Sequence, residues 1–410
     1  MKIEVKAPVK QNDKIIHLPA SKSISNRLLI IRALCEEYFN IHNLSKSNDT
    51  KVLINALNHL SVTVIDISAA GTAMRFLTAF LSITPGEMIL TGSERMKQRP
   101  INILVDILRD LGAKIDYLEK DGFPPLKISG STLKSKPINI KGNISSQFIS
   151  ALLMIAPSLE KGLTIKIDDK ILSKDYIDMT LKIMQNHGIN FQWTKSTIEV
   201  EKGNYSPKEE IVEPDWSAAS YWFEMVSLIK NAEIQFPGLL KNSLQGDSVL
   251  MDIYSRLGVQ SKFDEKWLYL KNIQTTCRHF EYDFTNCPDL AQTLTVTLVA
   301  KGIPFKLTGL DNLSIKETDR IKALVDEFEK MEIHLQTNGK DYLEWQGNET
   351  LKIPANHLIK TYNDHRMAMA FASLAIINNV LIIDDPEVVK KSYPDFWDDL
   401  HKFGFGINNK

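Results

Sequence analysis

The chain has 410 residues, more than one hydrophobic core usually supports, so two domains are expected. Its 49 Lys and Arg stand against 50 Asp and Glu, with 43% hydrophobic and 24% charged residues. That balance excludes a disordered chain and gives no field to draw nucleic acid or an anionic membrane.

The opening MKIEVKAPVK alternates apolar and charged residues, as a strand does and a signal peptide does not, and no apolar run is long enough for a membrane span. The expected location is the cytoplasm. Cys35, Cys277 and Cys287 show no CxxC spacing, which fits a reducing compartment, and the chain lacks the zinc-protease, P-loop and dinucleotide motifs.

Next, HLPASKSISNRLLIIRAL passes from a strand-like start through serines into an apolar-periodic helix with Lys22 and Arg27 near its beginning. Serine hydroxyls, first-turn N–H groups and a lysine make an anion site, although a serine-capped helix with solvated basic residues reads the same way. In SAAGTAMRFLTAFL, Ala70, Gly71, Thr72 and Ala73 keep the backbone bare ahead of Arg75, which suits close approach of a ligand or tight helix packing equally. GSERMKQRPINILVDIL places Arg95, Lys97 and Arg99 before a proline at a helix start, and NISSQFISALL offers Ser145, Ser146 and Gln147 at another. The second half adds NCPDLAQT, NLSIKETDRIKAL, YNDHRMAMAFA and VKKSYPDFW, each mixing charge with turn formers beside an apolar run.

One phrase recurs along the whole chain: an apolar helical stripe, a small residue, then a short strand. It begins at Val52, Ile103, Thr180, Val249, Ala323 and Phe396, and Gly112, Gly188, Gly258 and Gly404 fall where a left-handed cap is due. Amphipathic helices ending in glycine are common, but the order and spacing suit a repeated α/β unit, three copies to a half. Cationic helix starts in both halves of a neutral molecule are expected where small, multiply anionic substrates bind.

The segments LPASKSISNR, AAGTAMRFL, RMKQRP, ISSQF, KETDR, NDHRMAMA and KKSYPDFW, from Leu18 to Phe396, together resemble the motifs of the 5-enolpyruvylshikimate-3-phosphate synthase family of enolpyruvyl transferases. The resemblance implies an α+β fold of two domains, each of three βαβαββ units, with the active site in the inter-domain cleft. Residues 1–20 and 217–410 would form one domain and 21–216 the other. It also implies transfer of the enolpyruvyl group of phosphoenolpyruvate to the 5-hydroxyl of shikimate 3-phosphate, with release of phosphate, by a monomer that needs neither metal nor organic cofactor.

Position by position, the phosphoenolpyruvate site would comprise Lys22, Gly71, Arg99, Gln147, Arg320, Arg366 and Lys391. Shikimate 3-phosphate would contact Ser23, Arg27, Ser145, Ser146, Ser173, Tyr176, Asp289, Asn312 and Lys316. Asp289 is the candidate base at the hydroxyl, with Lys22 a catalytic candidate beside the reacting centre. Glu317 and Lys316 are candidates for proton exchange at the methylene, and His365 is a further catalytic candidate. Ala69 stands where the family often has Asn, so a side-chain amide is missing from the wall of the site that the inhibitor glyphosate occupies.

Two rivals remain. The sister enzyme acting on UDP-N-acetylglucosamine usually carries a cysteine in a mobile loop, whereas no cysteine lies between Cys35 and Cys277. A non-catalytic anion- or RNA-binding module on the same fold would have no use for the acid–base set and would need a basic stripe.

Overall fold

The computed structural model describes residues 1–264 and 266–410. The chain forms two compact units, Met1–Pro19 with Glu213–Lys410, and Ala20–Val212. We call them unit 1 and unit 2.

Unit 1 opens with β1 (Lys2–Lys6). Unit 2 then takes up α1 (Lys22–Leu34), β2 (Ile41–His42) and α2 (Asn48–Asn58). There follow β3 (Val64–Asp66), α3 (Gly71–Ile83), β4 (Glu87–Thr91), the short α4 (Glu94–Lys97), α5 (Asn102–Asp110), β5 (Lys114–Tyr117) and β6 (Leu126–Ser129). A second βαβαββ run consists of β7 (Ile138–Lys141), α6 (Ser146–Ile155), β8 (Leu163–Asp168), α7 (Lys174–Asn186), β9 (Phe191–Thr194) and β10 (Thr197–Val200), before β11 (Glu210–Ile211).

The two runs build the same sheet, in the orders β3-β4-β6-β5 and β7-β8-β10-β9. In each, the first pair is parallel and the other pairs antiparallel. Parallel neighbours need a helical crossover, and that crossover is α3 in one sheet and α6 in the other. Eleven of the thirteen residues of α3 are buried, so it is an interior helix, covered on nearly every side. By contrast α5 buries only Leu104, Val105 and Leu108 and covers the sheet from outside.

Unit 1 resumes with α8 (Trp216–Leu228), β12 (Glu233–Pro237), α9 (Leu250–Ser255), β13 (Val259–Phe263) and β14 (Trp267–Asn272). Then come β15 (Phe280–Asp283), α10 (Ala291–Ala300), β16 (Phe305–Thr308), α11 (Arg320–Glu329) and β17 (Tyr342–Trp345). The last run is β18 (Leu358–Ile359), α12 (His365–Ala372), α13 (Ala375–Asn378), β19 (Val380–Asp384), α14 (Phe396–Phe403) and β20 (Gly406–Asn409).

Its sheet, β18-β19-β1-β20, repeats the order seen in unit 2 with the N-terminal strand in third place. The other copies are abbreviated. In β12-β14-β13 the missing first strand survives as one parallel bridge between Ile15 and Gln235, and in β15-β16-β17 the missing one survives as a bridge between Gln336 and Glu344. Only β11-β2 remains of the third sheet in unit 2.

Each recurring sequence phrase coincides with a helix, α2, α5, α7, α9, α11 or α14. The anticipated glycines Gly112, Gly188, Gly258 and Gly404 all have positive φ, and after α11 the non-glycine Glu332 takes the left-handed position at φ 61°. Trp216, assigned to the N-terminal half on sequence, is wholly buried in the core of unit 1 with Trp222, Phe223 and Phe236, because Asp215 caps α8 and carries the residue inward. Among the described residues no helix is long and apolar enough to cross a membrane.

Candidate active site

In unit 2, three helix starts carry the motif residues. Ser21 caps α1 by accepting from the backbone N–H of Ile24, and Lys22 is the first helical residue. Its ammonium lies 3.2 Å from Asp49 Oδ2, on α2. Ser145 caps α6 by accepting from the N–H of Gln147, with Ser146 buried behind it. The Gln147 side-chain amide donates to Thr72 Oγ1 at 3.1 Å, which joins the start of α6 to the start of α3.

Arg99 is buried, and its Nε and Nη1 have no hydrogen-bond acceptor among the described residues. A buried cation is costly unless something negative meets it. Its guanidinium lies over Gly71: a Cβ built on that glycine would stand 2.6 Å from Nη1. The bare backbone at the head of α3 is therefore needed for the arginine to lie where it does. Arg75 has another task, donating to the carbonyls of Gly71 and Pro100.

Arg27 is more committed than its place in the motif suggests. It donates to Thr180 Oγ1 at 2.7 Å, the Ser23 carbonyl at 2.9 Å, Ser150 Oγ at 3.2 Å and the Tyr176 carbonyl at 3.1 Å. Four of its five N–H groups are thus engaged, one within α1 and three tying α1 to α6 and α7, and burial lowers its pKa to about 10. Ser23 and Tyr176 are drawn together by this knot, since both their carbonyls accept from Arg27. Ser173, buried ahead of α7, sits in the left-handed region at φ 55°, ψ 43° and makes no capping bond. A non-glycine residue in this region is strained and is held there by its surroundings.

In unit 1, a carboxylate–arginine lattice forms where α11 and α12 begin. Arg320 donates through Nε to Asp364 Oδ2 at 2.7 Å, through Nη1 to Asp289 Oδ1 at 2.9 Å and through Nη2 to Glu317 Oε2 at 3.0 Å. Arg366 donates to Asp289 Oδ2 at 2.8 Å and to the Tyr221 hydroxyl at 3.4 Å. Lys316 stands 3.8 Å from Asp289, and Lys391 stands 3.7 Å from Glu317. Asn312 is half-buried just ahead of Leu313–Ile315. His365 is buried, with Nδ1 3.6 Å from Asp364 Oδ1.

These contacts set the charges. Burial would raise the Asp289 pKa, but Arg366, Lys316 and Arg320 together hold it well below the ordinary carboxylate value. Burial would lower that of Arg320, yet Asp364, Glu317 and Asp289 raise it. Asp247, which accepts from the Ser217 hydroxyl, goes the other way. Burial, then the charge of Asp289, pushes it up to about 7.

The structure therefore brings Gly71 against Arg99 and ties Gln147 to Thr72 beside Gly71, sets Lys22 at the head of α1, and joins Asp289, Lys316, Glu317, Arg320, Arg366 and Lys391 into one lattice of unit 1. Sequence reading missed Asp49, Asp247 and Tyr221 and took Thr72 only for a small residue; the importance of all four comes from partners far away in the chain. Asp364 was signalled only by its place beside His365 and Arg366.

A family model described as EPSP synthase (3-phosphoshikimate 1-carboxyvinyltransferase) matches residues 6–68 and 61–400. The 3-phosphoshikimate 1-carboxyvinyltransferase of Bacteroides fragilis (strain ATCC 25285) is 50% identical over 393 residues, 96% of this chain and 95% of that protein. The protein of the same name from Vibrio atlanticus (strain LGP32) is 37% identical over 422 residues, 96% and 97% of the two chains. In fold, the chain is similar to the EPSP synthase of Acinetobacter baumannii, with a TM-score of 0.78 at 18% identity and both chains fully covered. It is similar also to the enolpyruvyl transferase NikO of Streptomyces tendae, with a TM-score of 0.76 at 13% identity, covering 99% and 98%.

Proposed function

The chain belongs to the EPSP synthase family, and from that premise we propose that it transfers the enolpyruvyl group of phosphoenolpyruvate to the 5-hydroxyl of shikimate 3-phosphate. Phosphate leaves, and the reading calls for neither metal nor organic cofactor. The observation that carries it is the buried guanidinium of Arg99, two of whose donors have no acceptor among the described residues, laid over Gly71.

On this reading Lys22, Gly71, Arg99 and Gln147 receive the phosphate of phosphoenolpyruvate, while Arg320, Arg366 and Lys391 receive its carboxylate. Ser145, Ser146 and Ser173 take the phosphate of shikimate 3-phosphate. Ser23, Arg27, Tyr176, Asp289, Asn312 and Lys316 complete the contacts to that substrate. Arg27 acts mainly by holding α1, α6 and α7 in register.

The acid–base steps follow from the lattice. While Arg320 and Arg366 pair with Asp289, that carboxylate is ionised but a weak base. A substrate carboxylate that takes over the arginines removes their charge from Asp289, so its pKa rises and it can accept the proton of the 5-hydroxyl. The hydroxyl oxygen then bonds to the central carbon of phosphoenolpyruvate as Glu317, with Lys316, delivers a proton to the methylene. The tetrahedral adduct returns a proton from its methyl group and expels phosphate. Each such acid or base is worth roughly 10²- to 10⁴-fold. His365 has a supporting part, packed against the Asp364 that orients both arginines.

Turnover in deuterated water, followed by proton NMR, tests this sequence. Deuterium is expected in the methylene of the enolpyruvyl ether, and fully protonated product would overturn addition followed by elimination. The sister reaction on UDP-N-acetylglucosamine is disfavoured by the family match and by the cysteine-free loop GSERMKQRP. We take the enzyme to act as a monomer in the cytoplasm.

A further inference from the structure

The segment that delivers Asp364, His365 and Arg366 is bent in a way its side chains do not favour. The N–H of Asp364 donates to the carbonyl of Thr361 at 2.8 Å, closing a four-residue turn. Both central residues have positive φ, 53° at Tyr362 and 56° at Asn363. That is the type I′ pattern, for which Asn-Gly is the favoured pair. Asparagine tolerates the left-handed region, whereas a bulky aromatic residue there is an outlier that its surroundings must hold in place.

The restraint comes from α11. Tyr362 donates its hydroxyl hydrogen to Glu327 Oε1 at 2.7 Å. Glu327 is wholly buried, and the same oxygen accepts from Lys330. The Lys330 ammonium lies 6.0 Å from the centre of the Tyr362 ring. Arg320 and Glu327 are the first and eighth residues of α11, about two turns and 10 Å apart on a rigid rod. The helix thus pins segment 361–366 at two points, through Arg320 to Asp364 and through Glu327 to Tyr362.

We propose that the Tyr362–Glu327 hydrogen bond is a positioning clamp: it holds the left-handed turn so that Asp364 fixes Arg320 and Arg366 in the attitude that receives the carboxylate of phosphoenolpyruvate. The proposal rests on the reading of those arginines given above. Neither Tyr362 nor Glu327 touches substrate on this account. They act through Asp364, which accepts from Arg320 Nε and from the backbone N–H of Arg366. Tyr362 also explains why its position is not filled by the glycine that the turn would prefer, since glycine would supply the backbone and lose the clamp.

Two variants separate this role from ordinary packing. Tyr362→Phe keeps the ring and removes the donor, while Glu327→Gln keeps an acceptor for the tyrosine. Three quantities are measured on the full-length protein: amide hydrogen exchange at Asp364 and Arg366, the thermal midpoint, and the Michaelis constants for both substrates. In Tyr362→Phe, exchange at Asp364 and KM for phosphoenolpyruvate should each rise roughly tenfold, the worth of one such hydrogen bond. The KM for shikimate 3-phosphate and kcat should stay within about twofold, because uniform loss of binding to one substrate leaves turnover intact. Glu327→Gln, which keeps the acceptor but loses the charge facing Lys330, should keep wild-type exchange at Asp364 and wild-type KM for phosphoenolpyruvate whatever its midpoint.

Unchanged exchange in Tyr362→Phe overturns the clamp. Faster exchange with an unmoved KM for phosphoenolpyruvate, or both KM values rising as the midpoint falls, overturns the positioning role and leaves simple packing. If the wild-type protein released no phosphate from the two substrates, the functional reading and the positioning of its arginines would fail together. The exchange data would still decide the clamp.

Discussion

Arg99 and Gly71 are the most informative pair at the scale of single residues. A methyl group on Gly71 would meet the guanidinium at 2.6 Å, and because that is the end of a flexible side chain, the arginine can swing aside at the expense of its pose. Gly71→Ala should therefore raise KM for phosphoenolpyruvate by roughly tenfold, about 1.4 kcal/mol, with KM for shikimate 3-phosphate unmoved in steady-state kinetics. Asp289 and Asp247 give opposite signs with pH. Asp289, held low by Arg366, Lys316 and Arg320, contributes stability that is present above the ordinary carboxyl pKa of about 3.9 and lost as pH falls through its depressed value. Asp247, pushed up to about 7, contributes stability that is complete below the ordinary value and is lost as pH climbs to about 7. Asp247→Asn should accordingly raise the thermal midpoint at pH 8 and lose that advantage on titration toward pH 4; a constant difference across the range would contradict the assignment. No sequence signal singled out Asp247, since its pKa depends on burial and on Asp289, which is far off in the chain.

Helix starts position the candidate residues of unit 2 at the scale of elements. Ser21 and Ser145 cap α1 and α6 as serines before apolar-periodic helices should, and this local chemistry was open to sequence reading. The head of α7 was not, because Ser173 does not cap and takes a left-handed conformation instead. Replacing it with glycine separates structure from function: Ser173→Gly relieves strain of about 1 kcal/mol and should lift the thermal midpoint by about 2–4 °C. The same change removes a hydroxyl proposed for the phosphate of shikimate 3-phosphate, so calorimetry should show weaker binding of that ligand alone. A variant that is both less stable and unimpaired in binding would assign Ser173 to packing. Arg27 is the element-scale surprise: its position in LPASKSISNR suggested a ligand contact, yet most of its donors knit three helices together. Contacts to Ser150 and Thr180 span more than a hundred residues of sequence, beyond the reach of any local pattern.

Across the whole molecule, the repeat was legible in outline, because each copy keeps an amphipathic helix with a turn after it, and all six phrases became helices. What the phrases could not convey is how copies are truncated or completed. Ile15 and Gln336 reduce a strand to a bridge, while β1 is borrowed from the far end of the chain to finish β18-β19-β1-β20. Register of that kind depends on which edge is left unpaired once the rest of the sheet has formed. The family assignment gives these repeated units one chemistry, and its central claim is that phosphoenolpyruvate releases its phosphate only as its enolpyruvyl group passes to shikimate 3-phosphate. The direct measurement is phosphate release by the purified protein with phosphoenolpyruvate alone, with shikimate 3-phosphate added, and with UDP-N-acetylglucosamine in its place. Release should appear only with shikimate 3-phosphate, one phosphate for each enolpyruvyl ether formed; release without it, or with the nucleotide sugar instead, would contradict the account.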